Sequence, residues 1–278
     1  MINATERILL SSYSHIRHWV EDLPKKGYLS FSLDDVKAQF PHMMDKSVLN
    51  AIYRLSRSGK ALSVWRGYYA IVLPEYGLDG SVPPVEYLDH LMDHLNANYY
   101  IALLSAASLQ GASHQSPQVF QVMVDRKMRR KQIADSRLEF VYKNVMPPKG
   151  IEQKTVKSGF INVSAPLLTA LDLVTYSSRS GGISHVATVL EELADSIDPH
   201  TLDQELLLHE PRASVQRLGY LLDSVLGKVE LADYLYDESM RAGLRFRSVD
   251  LVAGWQGQET GVNKKWKVSV NYDVEVEK

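Results

Sequence analysis

The chain has 278 residues, of which 45% are hydrophobic and 23% charged, as is ordinary for a folded globular protein of about two domains. It contains no cysteine, which excludes disulfides, thiolate metal sites and cysteine nucleophiles. No apolar run reaches the roughly 20 residues that a membrane-spanning helix needs, and the first residues lack the pattern of a signal peptide. We therefore expect a cytoplasmic protein that makes no use of a membrane.

The net charge of −2 is unevenly distributed along the chain. Residues 1–73 carry ten Lys and Arg against six Asp and Glu, a net charge of +4, so the remainder carries −6. A basic first quarter on an acidic remainder predicts that only the first quarter meets a polyanion.

The first quarter begins with two predicted helices. Apolar spacing predicts a helix over residues 3–21, which the sequence PKKG at 24–27 ends. Ser32 followed three residues later by Asp35 forms the pattern of a capping box, which predicts the start of a second helix.

A third helix and a hairpin follow. Asp45 or Ser47 is the predicted cap of the third helix, which runs to about Ser58 and ends at Gly59. Two β-rich runs then flank the turn Arg66-Gly67, at 61–65 and 68–73. Three helices followed by a two-stranded hairpin are typical of the winged helix-turn-helix, which we predict for residues 1–73.

The third helix has two chemically different faces. Val48, Ile52 and Leu55 share the side that we expect to face a core. The opposite side presents Lys, Asn and Arg. Lys neutralises phosphate, Asn forms two hydrogen bonds with adenine, and Arg forms two with guanine. A solvated face without a ligand is the alternative interpretation. The predicted DNA-contact residues of helix and hairpin are Lys46, Ser47, Asn50, Arg54, Arg57, Lys60, Arg66 and Tyr68.

The remaining chain predicts an α+β protein. The Pro- and Gly-rich residues 74–87 predict a linker, and residues 88–278 predict a larger mixed α/β domain. A helical pattern covers 85–111. Strands are predicted at 118–124, 138–142 and 155–163, helices at 165–177, 184–195, 201–208, 213–226 and 228–241, and final strands within 244–252 and 265–276.

Three further groups are candidate sites. The basic run DRKMRRK at 125–131 suits contact with nucleic acid or an acidic partner, and a solvated loop is the alternative. His90 and His94 have the spacing of metal ligands, but neighbouring leucines already explain that helix as amphipathic. Asp125 and Glu139 lie in neighbouring strand regions and are the candidates for a magnesium-dependent nuclease or nucleotidyl-type enzyme. No nucleophile elbow or phosphate loop is present, so we expect no enzyme, no metal and no cofactor.

Several motifs, in order and spacing, resemble the AbiEi antitoxins of bacterial type IV (abortive-infection) toxin–antitoxin systems. They are SRSGKALSVWRGYYAIVLP at the hairpin, YYIALLSAASLQGASHQSPQVFQVMV at 99–124, VSAPLLTALDLV at 163–174, RLGYLLDSVLG at 217–227 and NKKWKVSVN at 263–271.

The resemblance implies a DNA-binding autorepressor that recognises inverted repeats upstream of its own operon, as a dimer or cooperatively. It also implies an antitoxin that counters a nucleotidyltransferase-like toxin without needing a stable complex with it. The candidate toxin-neutralising residues are Arg126, Arg129, Arg130 and Lys131. The alternative function is a winged-helix regulator whose C-terminal domain senses a small molecule.

Overall fold

The computed structural model describes residues 15–76, 82–112, 117–133, 136–256 and 260–277, and over these ranges the chain is α+β. Residues 15–76 are called the N-terminal unit and residues 82–277 the body. Residues 3–14, part of the predicted first helix, lie outside the described ranges.

The N-terminal unit packs three helices against a small sheet. The helices are α1 (Ile16–Asp22), α2 (Leu33–Gln39) and α3 (Asp45–Arg57), and the strands are β1 (Ser30–Ser32), β2 (Ala61–Trp65) and β3 (Tyr68–Ile71). The strands form an antiparallel sheet in the order β1-β3-β2. The strand β1 was not predicted, since three residues are too few to show a period of two.

Local sequence explains how this unit is built. Ser32 and Asp35 form the predicted capping box of α2, with the Asp35 amide donating to the Ser32 hydroxyl at 3.0 Å and the Ser32 amide to the Asp35 carboxylate at 2.8 Å. The core is centred on Trp19, which is fully buried and meets the rings of Phe31 and Phe40 edge-on.

The body is organised around a six-stranded mixed sheet in the order β6-β7-β5-β4-β9-β8. Its strands are β4 (Tyr99–Ile101), β5 (Val119–Val124), β6 (Lys131–Ile133), β7 (Ser136–Tyr142), β8 (Ile151–Val156) and β9 (Gly159–Ser164). Two sequence predictions were wrong here. The helical pattern over 85–111 is interrupted by the buried strand β4, and the single strand at 155–163 is the hairpin β8–β9, because short apolar runs do not distinguish buried strand from helix.

The remaining elements confirm most of the predicted pattern. The helices are α4 (Leu88–His94), α5 (Leu103–Leu109), α6 (Pro166–Thr175), α7 (Ile183–Leu193), α8 (Gln204–His209), α9 (Arg212–Tyr220) and α10 (Val229–Arg241). A π-helical turn, Leu221–Val225, extends α9. A small sheet in the order β10-β12-β11 closes the body, from β10 (Val249–Asp250), β11 (Gly261–Asn263) and β12 (Val268–Val270).

The six-stranded sheet separates two hydrophobic cores. Side chains such as Tyr100 and Met123 face the core formed with α6, α7, α9 and α10. Their strand neighbours Ile101 and Val122 face the opposite core, which is shared with α4 and with the hairpin β2–β3 of the N-terminal unit. The N-terminal unit and α4 therefore rest on one face of the sheet, and α6, α7, α9 and α10 cover the other.

Residues 74–87, the predicted linker, contribute to that packing. They contain the short 3₁₀ turns Pro74–Tyr76 and Pro84–Glu86, and residues 77–81 lie outside the described ranges. Val82 and Tyr87 are buried in the core that the hairpin and the sheet share. Their burial ties the end of this segment to the body.

A buried charge cluster lies in the helix-covered core. The Lys143 ammonium is 3.0 Å from an Asp172 carboxylate oxygen and 2.6 Å from a Glu210 carboxylate oxygen. The Tyr100 hydroxyl donates to the second Asp172 oxygen at 2.8 Å. Burial raises the pKa of Asp172 to about 6, although the Lys143 charge opposes the shift. One cation thus compensates two buried carboxylates from different parts of the chain.

Candidate nucleic-acid interface

The helix α3 lies on the N-terminal unit with one face in the core and the other in solvent. Val48, Ile52 and Leu55 are buried, as the periodicity predicts. The predicted cap was wrong, because Met44 occupies the N-cap position and Asp45 lies inside the first turn. Gly59, with a φ of 68°, follows the end of the helix, as predicted.

The exposed face of α3 carries cations that have no ion-pair partner among the described residues. Lys46, Asn50, Arg54 and Arg57 are exposed or partly exposed, and Ser47 beside them is partly buried. Among the residues that the structure describes, no carboxylate lies within ion-pair distance of Lys46, Arg54 or Arg57. The structure therefore brings these five predicted residues together on one surface, called the α3 face below.

Carboxylates of the N-terminal unit are engaged elsewhere. Glu21 binds both Lys60 and Arg17, and hydrogen bonds from these two cations lower the pKa of Glu21 to about 2. Lys60, predicted to contact DNA, therefore lies in an ion pair at the foot of the hairpin. Asp22 pairs with Lys25 at 2.6 Å, and Asp45 pairs with Lys37 at 3.1 Å. Within the described ranges, these pairings leave no carboxylate to compensate the charge of the α3 face.

The hairpin places its two predicted contact residues very differently. Arg66 is exposed at the turn and has no ion-pair partner within the described part of the chain. Tyr68 is only 3% exposed, its hydroxyl bonds the Ser30 hydroxyl at 2.9 Å, and its ring lies 5.0 Å from that of His94. Burial raises the pKa of Tyr68 well above its usual range. We therefore omit Tyr68 from the candidate interface.

The hairpin is buried against the body on its other side. The Trp65 ring meets Phe140 edge-on at 5.9 Å, and the Lys131 ammonium lies 5.1 Å from the Trp65 ring centre. The two histidines considered as metal ligands pack against aromatic rings of the N-terminal unit. His94 lies against Tyr68, and His90 lies against Tyr28. No cluster of three metal-ligating side chains occurs among the described residues.

Sequence reasoning missed an apolar stripe beside the cations. Leu49 is 50% exposed and Tyr53 is 62% exposed, and they stand one turn apart along α3. Met44, at the N-cap, is 75% exposed. The signal was present in the sequence, because Leu49 and Tyr53 fall outside the buried arc of the helix when placed at 100° per residue.

A groove of about 640 Å³ borders the α3 face. It lies between the start of α1 and α3, and its lining includes Arg17, His18, Ser47 and Arg54. The polar surface of α3 is thus continuous with cationic and histidine side chains of α1.

The basic run of the body is mostly engaged in internal contacts. Arg126 donates to the carbonyl oxygens of Leu95 and Asn96, at the C-terminal end of α4. Arg130 binds Glu139, and Lys131 lies over Trp65. Arg129 is exposed and has no ion-pair partner in the described ranges.

The two carboxylates considered as a magnesium site are held apart. Glu139 is 4% exposed and binds Arg130 and Arg179, whereas Asp125 binds Asn98 at 2.7 Å. Burial raises the pKa of Glu139, but its hydrogen bonds outweigh this effect and the pKa lies below its usual range. In the parallel pair β5–β7, Glu139 lies opposite Gln121. Asp125 comes four residues after Gln121, so it is displaced from Glu139 by about 13 Å in the direction of the strand.

Part of the body matches a known family. Residues 100–224 match the family model described as the AbiEi antitoxin C-terminal domain, which confirms the resemblance predicted from the sequence. No curated protein matches the chain. The crystal structure of the RV2827C protein from Mycobacterium tuberculosis is similar in fold, with a TM-score of 0.63 and 17% identity over 90% of this chain and 88% of that one. In the described ranges, no helix is both long and apolar enough to cross a membrane.

Proposed function

We propose, from the presence of an AbiEi antitoxin C-terminal domain at residues 100–224, that this chain is a DNA-binding antitoxin that represses its own operon. In this proposal the N-terminal unit is a winged helix-turn-helix, α3 is its recognition helix, and β2–β3 is its wing. The body counters a nucleotidyltransferase-like toxin encoded in the same operon.

The observation that carries the DNA-binding part is the charge of the α3 face, which no carboxylate compensates in the part of the chain that the structure describes. Lys46, Arg54 and Arg57 project from one helix surface, and the neighbouring carboxylates are paired with other cations. Three cations around an exposed Asn50, none of them paired with a described carboxylate, match the phosphates and base edges of a major groove. The solvent-exposed tip of the hairpin adds Arg66, within reach of the flanking backbone.

The order of elements supports the same assignment. A helix, a short strand, two helices and a hairpin place α3 on the outer surface, with the sheet β1-β3-β2 behind it. The hairpin rests on the body, so the body fixes the orientation of the proposed wing relative to the six-stranded sheet. Two chains on inverted repeats would then present two α3 faces about 34 Å apart, one turn of DNA.

The experiment is a binding series on the DNA upstream of the protein's own reading frame. Arg54→Ala is expected to weaken binding by about 5–150-fold, since a side chain that reads a base contributes about 1–3 kcal/mol. Arg57→Ala is expected to weaken binding on all sequences and to lower the slope of log K against log salt by about 1. Arg241→Ala, an exposed arginine on α10, is the matched control and should bind as wild type does.

The antitoxin part has a separate readout. Cells that express the proposed nucleotidyltransferase toxin should regain growth when this chain is co-expressed. Arg54→Ala should still restore growth, but it should no longer repress a reporter fused to the protein's own promoter. Binding of Arg54→Ala at wild-type strength, or an affinity that does not fall with added salt, would refute the assignment of α3.

A further inference from the structure

The apolar stripe Leu49–Tyr53 has no role in a helix that only neutralises phosphate. At least half of each residue is exposed, although α3 has a buried face for apolar residues. An exposed leucine by itself needs no explanation, but a leucine and a tyrosine one turn apart form a continuous apolar surface.

The surroundings of the stripe decide what covers it. Lys46 and Arg57 lie next to the stripe on the helix surface, three residues before Leu49 and four after Tyr53, and neither has a carboxylate partner among the described residues. A second copy of this positively charged face, placed against the first, would bury like charges together, which is costly. The complementary occupant is a polyanion that also offers apolar groups.

The major groove of DNA is such an occupant. Its only apolar feature at the base edges is the C5 methyl group of thymine, which apolar and aromatic side chains contact. Asn50 stands three residues before Tyr53, on the adjoining side of the helix, and is placed to bridge the N6 and N7 groups of adenine. One A·T pair, or two neighbouring pairs, would offer adenine to the Asn50 amide and a thymine methyl group to the apolar stripe.

We infer that Leu49 and Tyr53 read thymine methyl groups, and that each operator half-site has A·T pairs where α3 enters the groove. This inference rests on the proposed function and adds to it the chemistry of the sequence that is recognised. Arginine and lysine provide most of the affinity, and the stripe provides the preference for thymine.

The test uses the upstream promoter fragment made with thymidine or entirely with deoxyuridine. Uracil pairs as thymine does but lacks the C5 methyl group, so the substitution removes the methyl groups from the groove and leaves the hydrogen-bonding groups of each base pair unchanged. Wild type is expected to bind the uracil fragment about four-fold more weakly for each methyl group that the stripe buries. Leu49→Ala and Tyr53→Ala should weaken binding to thymine DNA and reduce the difference between the two fragments.

The control variant is Leu208→Ala on α8. Leu208 is 56% exposed, close to the 50% of Leu49, so the same truncation is made on a comparable surface of the body. It should retain both the affinity and the full uracil effect, which separates loss of a groove contact from a change in the fold.

The outcomes are distinguishable. Equal wild-type binding to both fragments, or a full uracil effect in Leu49→Ala, overturns the inference and leaves the proposed DNA-binding function intact. A change from dimer to monomer in Leu49→Ala without a change in affinity per site assigns the stripe to a contact between copies and also overturns it. Absence of any promoter binding by wild type removes the proposed function and this inference with it.

Discussion

Among the glycines that the structure describes, Gly219 is the one where an added methyl group meets the closest neighbours. It lies in α9, and a Cβ built on it would be 2.2–2.3 Å from three carbons of the Trp266 indole ring. Ordinary carbon–carbon contact is about 3.5–4.0 Å, so Gly219→Ala requires the ring or the helix to move by more than about 1 Å.

The Trp266 ring has little freedom to move. It is fully buried, and its indole nitrogen donates to an Asp223 carboxylate oxygen at 3.0 Å. The rings of Tyr236 and Phe246 lie 5.4 and 5.7 Å from it. Overpacking of this kind costs about 3 kcal/mol, at the upper end of the usual range, and alanine regains about 1 kcal/mol of helix propensity. We expect a net loss of about 2 kcal/mol, or a melting temperature lower by about 4–8 °C.

The assay is thermal unfolding followed by circular dichroism, with urea unfolding followed by tryptophan fluorescence. Gly261→Ala is the control, because its Cβ would meet nothing within 4 Å and its backbone is not in the left-handed region. It should change the free energy of unfolding by no more than about 0.5 kcal/mol. Trp266→Phe in the Gly219→Ala chain should recover part of the loss, because a smaller ring relieves the overlap. Equal stability of the two alanine variants would refute the reasoning.

Three further predictions concern stability. Lys143→Met should cost about 3–5 kcal/mol in urea unfolding, because it leaves Asp172 and Glu210 buried without a cation, whereas Lys149→Met on the surface should be neutral. The folded state raises the pKa of Asp172 from 3.8 to about 6, so it binds a proton more tightly than the unfolded state, and stability should fall as pH rises through this window. Asp172→Asn should abolish that contribution to the pH dependence. An unchanged slope of the unfolding free energy against pH in this variant would contradict the assignment to Asp172. Ser32→Ala removes the cap of α2 and should cost about 1 kcal/mol, measured by the melting temperature; no loss would show that the capping box is dispensable.

Local features of this protein were predicted well from neighbouring residues. The capping box at Ser32, the buried face of α3 and the stop at Gly59 each depend on side chains and backbone within about one or two helical turns. The outward position of Arg54 follows from the same periodicity, so the main residues of the candidate interface are predictable from the sequence alone.

Pairings between distant residues were not predictable in that way. Tyr68 has the sequence of a wing residue, yet it is buried because the hairpin packs on α4, and His94 lies against it. Arg130 belongs to a basic run that suggests a binding loop, yet its guanidinium binds the buried Glu139. Periodicity reports which side of an element is apolar, whereas the partner that covers that side depends on how remote segments pack. Helical periodicity therefore suffices to place the cationic face of α3 on the surface, whereas the packing of remote segments selects which other charged and aromatic residues stay exposed to a ligand.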